Sequence, residues 1–364
     1  MTDTKNDILL ESELYDEFDE LKPGWRPLLD DKLRVYSDPD SEHHFDCILA
    51  SLIKEFLLWD DDGAATVFAQ RFDDLYSTVY EPRFNGYRGR KKGWTGYLLV
   101  FYQTLCQTAV QIRYDDPKQE RLVRLLVELG KLPSRSVKVF VQSAFGCVDT
   151  KVWSSHLLLP YELRVADPGE MYPDVFGDLA IPENLQSLER ASVEYVNFHT
   201  FNARCIAAGL DTGLNGPFAS EGPIISVGLN PGDHSFKAPW VDCLVMAAAQ
   251  YIIIAGDVID AECVKKQAPP DRWGWKGWEN GNGPSLWKHW ATKLGEIADT
   301  LLRGEDPGFR MLEGNRGTLT DMVIKARDKM VALEPELLVQ SDSDPATEAK
   351  TETQAQIAGE AQAH

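Results

Sequence analysis

The chain has no CxxC pair, no recurring repeat, no basic surplus and no apolar run long enough to cross a bilayer. Its six cysteines, Cys47, Cys106, Cys147, Cys205, Cys243 and Cys263, lie far apart without histidines at zinc-finger spacing. That excludes a zinc module and a small disulfide scaffold, and fits reduced core thiols in a cytosol or nucleus. Without a fixed period, a regular TPR or ankyrin array is not supported. Asp and Glu number 57 against 37 Lys and Arg, a net charge of -20. Such a surface repels nucleic-acid phosphates and anionic lipid head groups, so neither nucleic acid nor a membrane is an expected partner. The longest apolar stretch, Cys243 to Gly256, falls short of the roughly 20 residues a span requires and carries Gln250 in its middle, which makes it a buried core helix. The opening MTDTKNDILLESELYDEFDEL lacks the basic and apolar regions of a signal peptide or presequence, so an intracellular, cytoplasmic protein is expected. The motifs GxSxG, HExxH, DxDxDG and GxGxxG are missing from any supporting context, which counts against the common hydrolase, metalloprotease, EF-hand and Rossmann classes.

What is present is helical. Hydrophobic residues at 43% and charged residues at 26% are ordinary for a globular protein. Periodicity predicts helices over 41–59, 64–80, 95–114, 117–132, 182–208, 239–265, 284–303 and 318–334, while alternating strand patterns are scarce and short. The last is the clearest, with Leu319, Met322, Val323, Ala326, Met330 and Leu333 on one stripe, Thr318 and Asp321 as a capping pair, and Pro335 at its end. Pro182, Pro239 and Pro284 stand where a first helical turn tolerates proline. Gly-, Pro- and Asp-rich interruptions fall at 161–181, 209–237 and 267–283, and loops of that length are commonly lids or binding rims. The expected fold is all-α: an irregular multi-helix bundle or helix-pair array forming one large domain over 41–338. An acidic, partly helical segment (1–40) precedes it, and a tail (339–364) too poor in apolar residues to fold follows it.

The C-terminal third reads YIIIAGDVIDAEC, a Gly/Trp-rich insert, GPSLWKHWATKLGEIAD and KARDKMVALE. An apolar helix with a Gly after its aliphatic run, then Trp287 and Trp290 in a Trp-x-x-Trp helix, then Ala326 and Met330 in a closing helix, resembles a fungal family known as domain of unknown function 3632, over roughly Pro182 to Glu334. The resemblance implies a filamentous-fungal source, an all-helical fold and frequent occurrence near secondary-metabolism genes. It carries no catalytic residues.

Three places can hold chemistry. The segment DRWGWKGWENGNGPSLWKHW holds Trp273, Trp275, Trp278, Trp287 and Trp290. Its rings can stack on a planar or sugar-like ligand with Lys276 and His289 as polar partners, or pin an irregular loop onto the core. The helix from Pro182 puts Leu188, Ser192, Tyr195, His199, Asn202 and Ile206 on one face, where His199 can act as a general base or hold a ligand carbonyl, oriented by Tyr195 and Asn202. The plainer reading is a partly wet helix face. In the apolar helix, Asp242, Met246, Gln250, Ile253, Asp257 and Asp260 share a stripe. Facing a cavity, Asp257 and Asp260 can bind a cation or serve as acid and base; facing solvent, they are the wet side of a core helix.

Two further clusters are weaker. Asp60, Asp61 and Asp62, and Asp73 with Asp74, echo the Asp-rich helix of terpene synthases, but neither completes DDxxD and no companion motif follows. Arg83, Arg88, Arg90, Lys91 and Lys92 form a basic loop that can bind an anion or dock a partner, or be solvated. With no complete catalytic constellation, the expectation is a non-catalytic helical interaction or accessory protein, without cofactor or metal, acting on a protein partner or a small hydrophobic molecule. The competing expectation is an enzyme or small-molecule binder with an apolar pocket capped by the Trp loop.

Overall fold

The computed structural model describes residues 24–41, 43–84, 93–141, 146–154, 156, 158–166, 182–210, 225, 229, 240–261, 283–305 and 316–336. The first helix, α1 (Trp25–Val35), packs on α2 (His44–Leu58) through Trp25 and Leu29. Next come α3 (Ala64–Leu75), a wider π-helical turn over Tyr76–Tyr80, the short α4 (Glu81–Phe84), α5 (Gly93–Val110) and α6 (Pro117–Lys131). Asp116 caps α6 by accepting from the Lys118 amide at 2.9 Å, with Pro117 in the first turn where a missing N–H costs nothing.

The chain then leaves helix for a hairpin, β1 (Ser136–Val141) antiparallel to β2 (Gly146–Lys151), with Val139 opposite Val148. Helix α7 (Leu159–Ala166) follows. Neither element was among the expected helices, and α7 lies partly within the expected interruption at 161–181. Between them Trp153 (φ 65) and His156 (φ 43) adopt left-handed backbone, which is unfavourable for residues bearing a Cβ. Burial of the Trp153 indole to 2% exposure and its hydrogen bond to Asp73 Oδ1 (2.9 Å) offset that strain. Arg135 pairs with the other oxygen of Asp73.

Around this point the first core assembles as an aromatic network. Phe45, Phe72, Tyr80, Tyr97, Phe101, Tyr102 and Trp153 are all buried, and most of the ring pairs among them meet edge-on, the arrangement their quadrupoles favour.

The second core is built from α8 (Pro182–Ala207), α9 (Trp240–Ile259), α10 (Gly283–Leu302) and α11 (Arg316–Leu333). The contacts fix the directions. Ser192 lies beside Cys243 and His199 beside Tyr251, so α8 and α9 run parallel. Gln250 meets Met322 and Asp257 meets Lys329, so α11 is parallel to α9 as well. Arg316 reaches the Glu305 carbonyl while Arg327 approaches Asp299, which makes α10 antiparallel to α11. Helix α9 is therefore flanked by two parallel neighbours. Nearly every side chain from Asp242 to Ile252 is buried because Ala247, Ala248 and Ala249 let the neighbours close in. The expectation that no apolar run is long enough to span a bilayer is corrected for Asp242–Ile259, which qualifies by length and composition, but 78% of it is buried inside the protein, as in a core helix.

Gly256 lies in α9 against α11. A Cβ there would meet Leu333 Cδ1 at 3.5 Å and Lys329 at 3.6 Å, ordinary contact distances. Gly256→Ala is expected to raise the unfolding free energy by about 0.5–1 kcal/mol, because the helical backbone gains propensity without a clash. Urea denaturation checks this, and a loss of stability would show that the helices approach more closely than described.

Helix α8 is the wall common to both cores. Phe198, Phe201 and Cys205 face the first, while Leu188, Tyr195, Val196, Ala203 and Ile206 face the second. Two polar residues fasten it. Asn197, 3% exposed, donates from Nδ2 to the Val110 carbonyl (2.9 Å) and accepts from the Tyr114 amide (2.8 Å). Gln119 donates to the carbonyls of Ile112 (2.8 Å) and Asn197 (2.9 Å). The α5 C-terminus, whose last carbonyls have no helical partner, is thus capped by side chains from α6 and α8. The expected tail 339–364 and most of the interruptions at 209–237 and 267–283 lie outside the described residues.

Candidate functional site

Of the residues singled out by sequence, the structure brings two, His199 and Asn202, to one hydroxyl and packs a third, Tyr195, against the histidine. Tyr251 of α9, fully buried, faces α8, where Asn202 Nδ2 donates to its oxygen at 2.9 Å and His199 Nδ1 lies 3.0 Å away. The hydroxyl oxygen thus accepts from Asn202 and shares one proton with His199 Nδ1. Tyr195 packs against the imidazole with ring centroids 4.1 Å apart, and Phe198 closes it at 5.0 Å. Helical spacing produces the convergence, because 195, 199 and 202 are one turn apart on the face turned to α9.

The electrostatics follow from enclosure. His199 has no exposed surface, and burial pushes its pKa down to about 3, so the ring is neutral at physiological pH. The thiols of Cys205 and Cys243 in the same region are driven well up by burial, Cys243 to about 12, so they are protonated and weak nucleophiles. A neutral histidine sealed between a tyrosine hydroxyl and two aromatic rings can hold helices in register. As arranged, it does not reach solvent.

The stripe on α9 divides. Asp257 is exposed and pairs with Lys329 of α11, and Gln250 Nε2 approaches Met322 Sδ at 3.6 Å. The stripe therefore runs along a helix–helix contact, buried at Gln250 and open to solvent at Asp257. Asp260, three residues beyond Asp257, is fully buried, so the two carboxylates stand in different surroundings. Trp287 and Trp290 are buried at 1% and 2% as core residues of α10, and His289 between them is partly exposed with its pKa lowered by burial and by Lys293. Trp275 and Trp278 lie outside the described residues, as do Arg88, Arg90, Lys91 and Lys92. Among the described residues no group of three or more His, Cys, Asp and Glu side chains is placed to hold a metal.

Sequence reasoning passed over Tyr251, the group on which the cluster centres. It sits inside an apolar run, and only the small residues Ala247 and Ala248, one turn earlier on the same face, mark that face as one where another helix approaches closely. Tyr251→Phe removes the hydroxyl that His199 and Asn202 share and is expected to cost about 2 kcal/mol of stability, a typical value for a buried polar group that loses its partner. Thermal or urea unfolding reads this directly, and an unchanged midpoint would mean that the cluster does not hold α8 to α9.

Two cores sharing one helix define a protein of the all-α class, with one small hairpin and a sealed polar cluster at the shared wall. The chain belongs to the family described as protein of unknown function (DUF3632), whose model matches residues 102–294, more than half of its length, from α5 into α10. No curated protein and no solved structure matches it.

Proposed function

We propose that the chain is a non-catalytic helical interaction protein, an accessory factor of the fungal cytoplasm that works through protein contacts and needs no cofactor. One observation carries this reading: the best-assembled polar group, His199 with Asn202 on Tyr251, is enclosed, neutral and engaged in joining two helices. A general base needs access to its substrate and a pKa near the working pH, and this histidine has neither. The candidate acid Asp257 is turned to the surface and held by Lys329. The fungal setting and the link to secondary metabolism rest on the family resemblance, and the exclusion of nucleic acid and membrane rests on the charge of -20. The described helices are read as one domain because α8 serves both cores.

A second reading has its own support. Ser192, Asn202, Asp242, Gln250 and Asp260 are buried polar groups within the mainly apolar second core, and an apolar enclosure with a few polar groups is the usual make-up of a small-molecule site. On that reading the chain binds a small hydrophobic molecule among α8, α9 and α10.

Gene deletion with metabolite profiling, followed by rescue with Tyr251→Phe and His199→Gln, separates the two. The interaction reading expects full rescue by both of these variants as long as they remain folded. An intermediate that accumulates on deletion, is converted by purified wild-type protein and is not converted by folded His199→Gln would replace it with an enzyme.

A further inference from the structure

Seven large hydrophobic side chains are exposed among the described residues, and three of them, Leu58 (50%), Trp59 (46%) and Val67 (51%), fall at the corner between α2 and α3. Singly exposed apolar residues are ordinary, but grouped ones mark contact surfaces. The corner is firmly built. Trp59 stands edge-on to Phe68 at 5.7 Å, so one edge of the indole is anchored in the core while nearly half of the residue stays open. Glu55 and Arg71 form a two-pronged ion pair (2.6 and 2.7 Å) on one side, and Arg121 lies 3.7 Å from Asp60 on the other.

The turn itself is the acidic run left unassigned by the sequence. Asp61 is used by the fold, its Oδ1 accepting from the Gly63 amide at the start of α3. Asp60 projects its whole side chain into solvent despite its contact with Arg121, and Asp62 is exposed. An open Trp–Leu–Val surface therefore adjoins carboxylates that face outward. Tryptophan is the residue most enriched at interface hot spots, and flanking charge sets which partner arrives.

We propose that this corner docks a basic amphipathic helix of another protein, whose apolar face covers Leu58, Trp59 and Val67 while its Lys and Arg residues meet Asp60 and Asp62. Charge selects that occupant. The chain's own segments 1–23 and 337–364 both carry more Asp and Glu than Lys and Arg, and a second copy would bring a further charge of -20. Both would be repelled. The proposal rests on the interaction-protein reading and adds the surface and the chemistry of the partner.

The test uses the full chain and a fluorescein-labelled amphipathic peptide of Leu and Lys at helical spacing, with the matched Leu/Glu peptide as control, read by fluorescence anisotropy. The Leu/Lys peptide is expected to bind, and the Leu/Glu peptide is not. Trp59→Ser and Val67→Lys are each expected to weaken binding about ten-fold or more, as a hot-spot loss does, and Asp60→Asn with Asp62→Asn a few-fold. Val67→Lys is the safer variant, since half of Val67 is solvent-exposed and the fold does not depend on it. Absence of binding, or binding that Val67→Lys leaves within two-fold of wild type, overturns the proposal. The rescue experiment keeps the two readings apart. If folded Tyr251→Phe and His199→Gln rescue while the peptide ignores the corner, only the surface is wrong; if those variants fail to rescue, the interaction reading itself falls.

Discussion

Asn197→Ala is expected to lower the unfolding free energy by about 3–5 kcal/mol, the largest effect of any single substitution considered. Asn197 is nearly completely buried, and its amide serves two main-chain groups at once, the Val110 carbonyl and the Tyr114 amide. Alanine leaves both without that partner in a dry place, at about 1–3 kcal/mol each, and adds a small void. Asn197→Asp is no remedy, because a carboxylate can accept from Tyr114 but cannot donate to Val110, and it brings a charge into the core. Because the residue ties the α5 terminus of the first core to the wall of the second, the loss is expected to separate their unfolding. Urea denaturation followed by tryptophan fluorescence should change from one transition to two. A single transition weakened by less than about 1 kcal/mol would show that the capping hydrogen bonds contribute little.

The second large effect is on acid stability. His199 is held near pKa 3 and His156 near 4, both by burial, although His156 also lies 2.8 Å from the Tyr102 hydroxyl. In the unfolded chain both return to the ordinary histidine value of about 6.5. Each folded pKa is therefore below its unfolded value, so the unfolded state binds the extra protons. Stability is full above about pH 6.5 and is lost as pH falls toward the folded values. At pH 5 each histidine costs about 2 kcal/mol, and the pair about 4 kcal/mol, relative to pH 7.5. Replacing His199 and His156 together by Gln should remove most of that dependence. A denaturation midpoint that stays flat between pH 7.5 and 5 in the wild type would contradict the burial of both rings.

Much of the fold was legible because periodicity is a local signal. Pro117, Pro182 and Pro284 stand in the first turns of α6, α8 and α10, and Pro239 lies immediately before α9. The hairpin was missed although Val137, Val139 and Val141 alternate in β1, since six residues of alternation are short beside the helical runs and its anchor, Trp153 on Asp73, joins positions 80 residues apart. Helix α1 lies in the segment 1–40, which was expected to be partly helical without bounds being drawn for the helix. The π-helical turn was read as straight helix, because what widens it is the burial of Tyr76 and Tyr80 in an aromatic cluster supplied by other helices.

For the candidate site, spacing alone identified the face of α8 that carries Tyr195, His199 and Asn202. It could not supply Tyr251, which arrives from a helix running parallel to α8, or place α11 over the stripe of α9. That arrangement decides the chemistry. The same stripe that could have lined a cavity is occupied by Met322 and Lys329, and Asp257 and Asp260 part company because one turn of helix carries the chain from surface to core.

The central claim is that His199 is a sealed, neutral element joining α8 to α9. Nitrogen-edited NMR of its imidazole between pH 7.5 and 5 tests this most directly. The structure predicts a neutral ring, unchanged in chemical shift across the range while the protein remains folded. A ring that titrates near 6.5 in the folded protein, or whose N–H proton exchanges freely with water, would place His199 in an open pocket and contradict the claim.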